Sequence, residues 1–99
     1  MTEHFNKLTP AELERLACLA EECAEIIQVV GKILRHGYES TYPACGTTNR
    51  QMLERELGDA LAVVGMMSET KDIDRDVVDK AIDAKLYRIG TYLHHHEMA

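Results

Sequence analysis

The sequence has little of what a β-sheet fold uses. Its 99 residues include four tyrosines, one phenylalanine, two prolines and no tryptophan. Apolar residues rarely alternate with polar ones, and strand-sized runs of β-branched residues do not occur. Apolar residues still make up 45% of the chain, which is enough for a core. We therefore expect an all-α fold and, at this length, a single domain over residues 1–99.

Long apolar runs and paired cysteines are also missing. No stretch approaches the roughly eighteen apolar residues of a membrane-spanning helix, and residues 1–10 contain no apolar run. Cys18, Cys23 and Cys45 form no C-x-x-C motif, and one is left over in any intramolecular pairing. Reduced thiols fit this set best, so we expect a cytoplasmic protein that is neither exported nor membrane-spanning. The histidines at positions 94–96 are expected to lie in a frayed C-terminus.

Positive charge is in short supply. Eleven lysines and arginines face 17 acidic residues, which gives a formal charge of −6. This balance argues against nucleic acid or an anionic membrane as a partner, because both are polyanions. A chain this short buries only about 60 to 65% of its unfolded surface, so we expect a homodimer or a homotetramer.

Capping residues and apolar periodicity predict the first two helices. Thr9, Pro10 and Glu12 form a capping box with proline in the first turn, and apolar spacings of three and four continue to about Arg35. A second helix is predicted from Thr48 or 49 to a point between residues 68 and 71, with the same apolar spacing.

A third helix is predicted to begin at Asp72 or Asp74, with an apolar stripe that runs from Val78 to Leu93. Residues 36–48, between the first two helices, lack periodicity and are rich in glycine, serine and threonine. That composition is typical of a loop, and its length indicates function or mobility.

Four carboxylates fall on or beside the apolar faces of the first two helices. At 100° per residue, Glu22 lies inside the apolar arc of the first helix and Glu25 on its border. On the second helix Glu56 lies mid-stripe and Asp59 lies between methionines. Burying such charges without partners costs several kcal/mol, so something must compensate them.

Arginine side chains compensate these carboxylates poorly, because only Arg15 and Arg55 come near them in angle. Carboxylates at i and i+3 on two helices suit a divalent cation such as Mg²⁺, which takes oxygen ligands. The same spacing is also common on solvated helix faces, and periodicity alone leaves the two interpretations about even. A di-iron bundle is disfavoured, because no glutamate is followed by histidine three residues later.

These carboxylates resemble the motif of the MazG-like all-α nucleoside triphosphate pyrophosphohydrolases. The E-E-x-x-E part reads Glu21-Glu22-Cys23-Ala24-Glu25, the E-x-x-D part reads Glu56-Leu57-Gly58-Asp59, and the resemblance extends over residues 13–92. It implies hydrolysis of a nucleoside or deoxynucleoside triphosphate to the monophosphate and pyrophosphate, with Mg²⁺ or a substituting Mn²⁺. The implied metal ligands are Glu22, Glu25, Glu56 and Asp59, and the implied catalytic residues are Glu21 and Glu22.

The resemblance also implies basic residues against the phosphates on the first and third helices, and the candidates are Lys32, Arg35, Lys85 and Arg88. In the loop, Tyr38 and Tyr42 are candidates for stacking on a base. The loop is longer than in many relatives, and many of these have Lys-Asn where this chain has Lys85-Leu86. A non-catalytic nucleotide- or protein-binding adaptor and a phosphoribosyl-ATP pyrophosphohydrolase remain alternatives.

Overall fold

A computed structural model describes residues 5–43 and 45–95 of the chain. Its three helices are α1 (Pro10–His36), α2 (Asn49–Glu69) and α3 (Arg75–Ile89). Over the described ranges there is no strand, only an isolated bridge between Thr41 and Thr48. The expected all-α fold with three main helices is confirmed. His96, for which we expect a frayed terminus, lies outside the described residues.

Side-chain caps fix the start of each helix. The Thr9 hydroxyl accepts from the Glu12 backbone N–H at 3.1 Å, while the Glu12 carboxylate accepts from the Thr9 N–H at 2.7 Å. Thr48 and Gln51 form the equivalent capping box on α2. Each box satisfies backbone donors that the first helical turn leaves unpaired; the box at Thr9 is the predicted one.

The third helix starts after one of its two predicted caps but ends earlier than predicted. Asp74, not Asp72, is its cap and accepts from the Asp76 N–H at 2.9 Å. The helix ends at Ile89, so Leu93 lies beyond it and is not part of a helical stripe. The reason is local, since Gly90 is a weak helix former and the chain after it forms turns, as in the bond from the Thr91 N–H to the Arg88 carbonyl.

Helices α1 and α2 pack against each other as an antiparallel hairpin. At one end Arg15 of α1 binds Asp72, just after α2, and at the other the Asn49 side chain donates to the Gly37 carbonyl at 3.1 Å. Within the described ranges this is the only extensive helix pair, and its buried apolar residues are Val29 and Met67. None of the described helices is long and apolar enough to cross a membrane.

The connecting loop is tied to the start of α2 rather than left unsupported. The backbone N–H of Asn49 donates to the Ser40 carbonyl, and that of Arg50 to the Tyr38 carbonyl, both at 2.9 Å. The Arg50 guanidinium lies 4.3 Å from the Tyr38 ring centroid and also pairs with Glu39. These contacts hold residues 38–40 against the start of α2 at the end of the hairpin.

Candidate metal centre

Antiparallel packing brings the carboxylates of α1 and α2 together. One oxygen from each of Glu22, Glu56 and Asp59 lies within 4.8 Å of the others. Glu56 and Asp59 are one turn apart on α2, and Glu22 faces them from α1. We call these three residues, together with Glu25, the acidic cluster.

Two oxygens of the acidic cluster are buried without a hydrogen-bond partner, Oε2 of Glu22 and Oε2 of Glu56. The Glu56 residue is 5% exposed, whereas Asp59 is exposed at the rim. Burying a carboxylate oxygen without a hydrogen bond costs free energy, so these two oxygens favour a bound ligand. The donor set is made only of carboxylate oxygens, which suits a hard divalent cation such as Mg²⁺.

The remaining member, Glu25, interacts with both glutamates. A hydrogen bond with Glu25 is the main cause of a raised pKa at Glu56, followed by burial and by the charges of Glu25 and Asp59. Burial raises the pKa of Glu22, as do the charges of Asp59 and Glu56, whereas a hydrogen bond with Glu25 lowers it. The carboxylates of the acidic cluster therefore disfavour one another's charged forms, and a bound cation would relieve this repulsion.

Arginine does not neutralise the acidic cluster. The guanidinium of Arg15 is committed to Asp72, with Nε 2.5 Å from Oδ2 and Nη2 3.0 Å from Oδ1. Arg55 lowers the pKa of Glu56 by its charge but is itself exposed. The residues present therefore fit a bound divalent cation better than an internal salt bridge.

The other predicted site residues on the helices are not members of the acidic cluster. Glu21 is exposed on α1 next to Glu22, and Lys32 is half-buried near the end of the same helix, one turn before Arg35. Lys85 and Arg88 are exposed on α3 and make no ion pair within the described part of the chain. The Lys85 ammonium lies 5.9 Å from the Tyr92 ring centroid.

Both loop tyrosines have a cation close to the ring. Arg50 covers Tyr38, and the Lys32 ammonium lies 4.7 Å from the Tyr42 ring centroid while donating to the Tyr42 hydroxyl. Neither contact follows from helical periodicity, because the loop has none. The buried Asn49 was likewise not predicted as part of a site, although its place at the start of α2 next to the cap was.

Comparison with known families shows to which family the chain belongs. The model of the MazG nucleotide pyrophosphohydrolase domain matches residues 11–89, which include the whole acidic cluster. The chain belongs to this family. Searches of curated proteins and of solved structures found no match. Membership in the MazG family indicates nucleotide pyrophosphohydrolase activity, and the family is in general metal-dependent.

Proposed function

We propose that this MazG domain, residues 1–99, hydrolyses a nucleoside or deoxynucleoside triphosphate to the monophosphate and pyrophosphate, with Mg²⁺ as cofactor and Mn²⁺ as a substitute. The observation that carries the proposal is the acidic cluster with its two buried, unpartnered oxygens, inside the segment that matches the family. Glu22, Glu25, Glu56 and Asp59 are the proposed ligands. When bound, Mg²⁺ would neutralise phosphate charge and lower the pKa of a water.

The proposed reaction is an in-line displacement at the α-phosphorus. A water oxygen forms a bond to this phosphorus, and the bond to the oxygen that bridges to the β-phosphorus breaks. Pyrophosphate leaves with the bonding electron pair, and the water proton passes to a carboxylate. Glu21, exposed beside the cluster, is the proposed base, and Glu22 is proposed to position the water as well as the cation.

Basic and aromatic residues are proposed to hold the rest of the substrate. Lys32 and Arg35 lie on the same helix as the first carboxylate pair, and Lys85 and Arg88 would reach phosphates from α3. Tyr38 remains the proposed stacking partner for the base, because one face of its ring is not covered by Arg50.

We further propose that the active form is a homodimer or homotetramer. Apolar side chains of α1 stay exposed, among them Ile27 at 72% and Leu34 at 81%. Leu61 of α2 is 62% exposed and Leu86 of α3 is 67% exposed. Exposed apolar side chains on all three helices favour burial against further copies of the chain. Three free, exposed cysteines support the proposed cytoplasmic location, where thiols stay reduced.

Glu56→Gln tests the metal-dependent activity. Gln keeps the size of the side chain but removes the charge that holds the cation. Release of pyrophosphate should then fall at least about 100-fold, as when one preorganised contact that stabilises the transition state is removed. The measurement is pyrophosphate release across the standard and damaged triphosphates with Mg²⁺. Glu54→Gln is the matched control, because Glu54 is exposed on the same helix. A well-folded wild-type chain that is inert toward every nucleotide with both Mg²⁺ and Mn²⁺ would refute the proposal.

A further inference from the structure

Helix α1 has a second apolar face, which its packing against α2 leaves exposed. With Leu13 at 0° and 100° per residue, Glu22 and the buried Val29 lie at about 160° to 180°, toward α2. A further arc, from about 240° to 20°, holds no charged residue between positions 13 and 34. We call this arc, together with the exposed Leu57 and Leu61 of α2, the uncharged face. Its members on α1 include Leu13, Leu16, Ala20, Cys23, Ile27 and Leu34.

The uncharged face lies on the side of the hairpin opposite the acidic cluster. On α1, Glu25 comes about 60° before Glu22 in helical angle, and on α2 Asp59 comes about 60° before Glu56. Glu25 and Asp59 both interact with Glu22, so the cluster occupies the lower-angle side of both helices. The uncharged face occupies the higher-angle side of both helices. Two antiparallel helices turn in opposite senses when seen from one end, so these two sides point in one direction, away from the cluster.

The missing charge and the size of the uncharged face suit a second copy of the chain. Each chain has a formal charge of −6, so two copies repel each other least where neither presents charge. The face extends about 30 Å along two helices that are each about 10 Å wide, or roughly 600 Å². A standard interface buries about 800 Å² on each partner, so the face supplies most of that area and the exposed stripe of α3 can supply the rest.

The order of large and small residues on α1 fits an antiparallel copy of the same helix. A two-fold axis at the middle of the arc, between Cys23 and Ala24, pairs residues whose numbers add up to 47. A large side chain then lies opposite a small one in the inner pairs, which lets the two helices interdigitate, and leucines meet at the ends. The pairs between copies are Leu16 with Gly31, Ile27 with Ala20, and Leu13 with Leu34.

We propose that two copies of the chain pair through the uncharged face, with α1 against α1 about a two-fold axis next to Cys23. This inference rests on the homo-oligomer of the proposed function and does not depend on hydrolysis. The two acidic clusters then lie on the outer sides of the pair, open to substrate. Helix axes 8–10 Å apart, with Cα atoms 2.3 Å from each axis, bring the two Cys23 Cα atoms to about 4–6 Å, a distance that a disulfide can bridge.

Disulfide formation by the native cysteines tests this pairing. Cys18→Ser with Cys45→Ser leaves only Cys23, and Cys23→Ser with Cys45→Ser leaves only Cys18. Both remaining thiols are exposed on α1 in the single chain, but they lie about 140° apart around the helix. Under mild oxidation of dilute protein, the chain with Cys23 should form a covalent dimer at least about tenfold faster, because pairing raises the local concentration of its thiol.

A charge placed in the uncharged face gives a second measurement. Leu34→Glu should convert the pairs into single chains, because it would bury a carboxylate without a partner. The mass is measured by light scattering, and oxidation of Cys23 should slow to the rate of Cys18. Gln28→Glu is the matched control, since it makes the same change of charge at an exposed position on the polar side of α1 and should change neither result.

Three results would overturn the inference. The first is equal rates of dimer formation through Cys23 and Cys18, and the second is a pair that survives Leu34→Glu. The third is a disulfide between Cys23 and the thiol introduced by Ile82→Cys in place of one between two Cys23 residues, because α3 would then cover the face. Failure of the proposed function is distinguishable, since a chain inert toward every triphosphate would still form dimers through Cys23.

Discussion

At the scale of single residues, Arg15 pairs with one acidic residue, Asp72, and leaves the acidic cluster without an arginine partner. By helical angle it is the cation on α1 nearest to Glu22, yet its guanidinium forms a two-pronged pair with Asp72. The Asp72 carboxylate thereby ties α1 to the segment just after α2, at one end of the hairpin. The negative charge of the acidic cluster is not paired with this arginine and can instead bind a cation.

The pair predicts how stability depends on pH. The hydrogen bond from Arg15 is the main cause of a pKa of Asp72 below its ordinary value of 3.8. An acid whose pKa is lower in the folded state stabilises the fold above its unfolded pKa, and this stabilisation is lost as pH falls through the folded pKa. Asp72→Asn should therefore lower the Tm at pH 7, and the difference from wild type should shrink below about pH 4.

Thermal unfolding of both proteins from about pH 2.5 to pH 7, followed by circular dichroism, measures this difference. Asp83→Asn serves as the control, because Asp83 is exposed on α3 and forms no ion pair in the described ranges. A Tm difference that is the same at every pH would show that the Asp72 charge does not stabilise the fold.

At the scale of helices and loops, the start of the loop depends on Gly37. Gly37 has φ 87° and ψ 168°, a conformation that is essentially restricted to glycine, and its carbonyl accepts the bond from Asn49. Gly37→Ala should destabilise the protein by about 1–3 kcal/mol. Urea unfolding at fixed protein concentration measures the change.

Gly65→Ala is the matched control, and its expected effect on the free energy of unfolding has the opposite sign. Gly65 is inside α2, and a Cβ there would meet nothing within 4 Å. Alanine in a helix interior is better than glycine by about 0.5–1 kcal/mol, so this variant should be at least as stable as the wild type. If Gly37→Ala were equally stable, the loop would not depend on the conformation of Gly37.

These elements also show what the sequence could predict. Caps are local signals, so Thr9, Thr48 and Asp74 were within reach of pattern analysis. Periodicity correctly placed Glu56 among apolar residues, because α2 buries that face against α1. It could not predict the contact of Lys32 with Tyr42, because residues in an irregular loop have no repeat from which their positions follow.

At the scale of the whole molecule, the single chain is less compact than a domain of its length usually is. Its radius of gyration is 17.2 Å, against about 13 Å for a compact domain of 100 residues, and its longest extent is 50 Å. The cause is α3, which has no extensive contact with α1 or α2. An apolar stripe in a sequence predicts that a helix face is buried, but not whether the covering surface belongs to the same chain. The exposed stripe of α3 is therefore the best place to test assembly.

Leu86→Glu places a charge in that stripe and should convert the proposed homo-oligomer into single chains. Light scattering after size-exclusion chromatography measures the mass at matched concentrations. Lys80→Glu, on the side of α3 opposite the stripe, should leave the mass unchanged, because a charge there already faces water. A wild-type protein with the mass of one chain at micromolar concentration would contradict the homo-oligomer. An assembly that survives Leu86→Glu would instead show that α3 is not the surface that joins the copies, leaving Ile27, Leu34 and Leu61 of the hairpin as the apolar surface to test next.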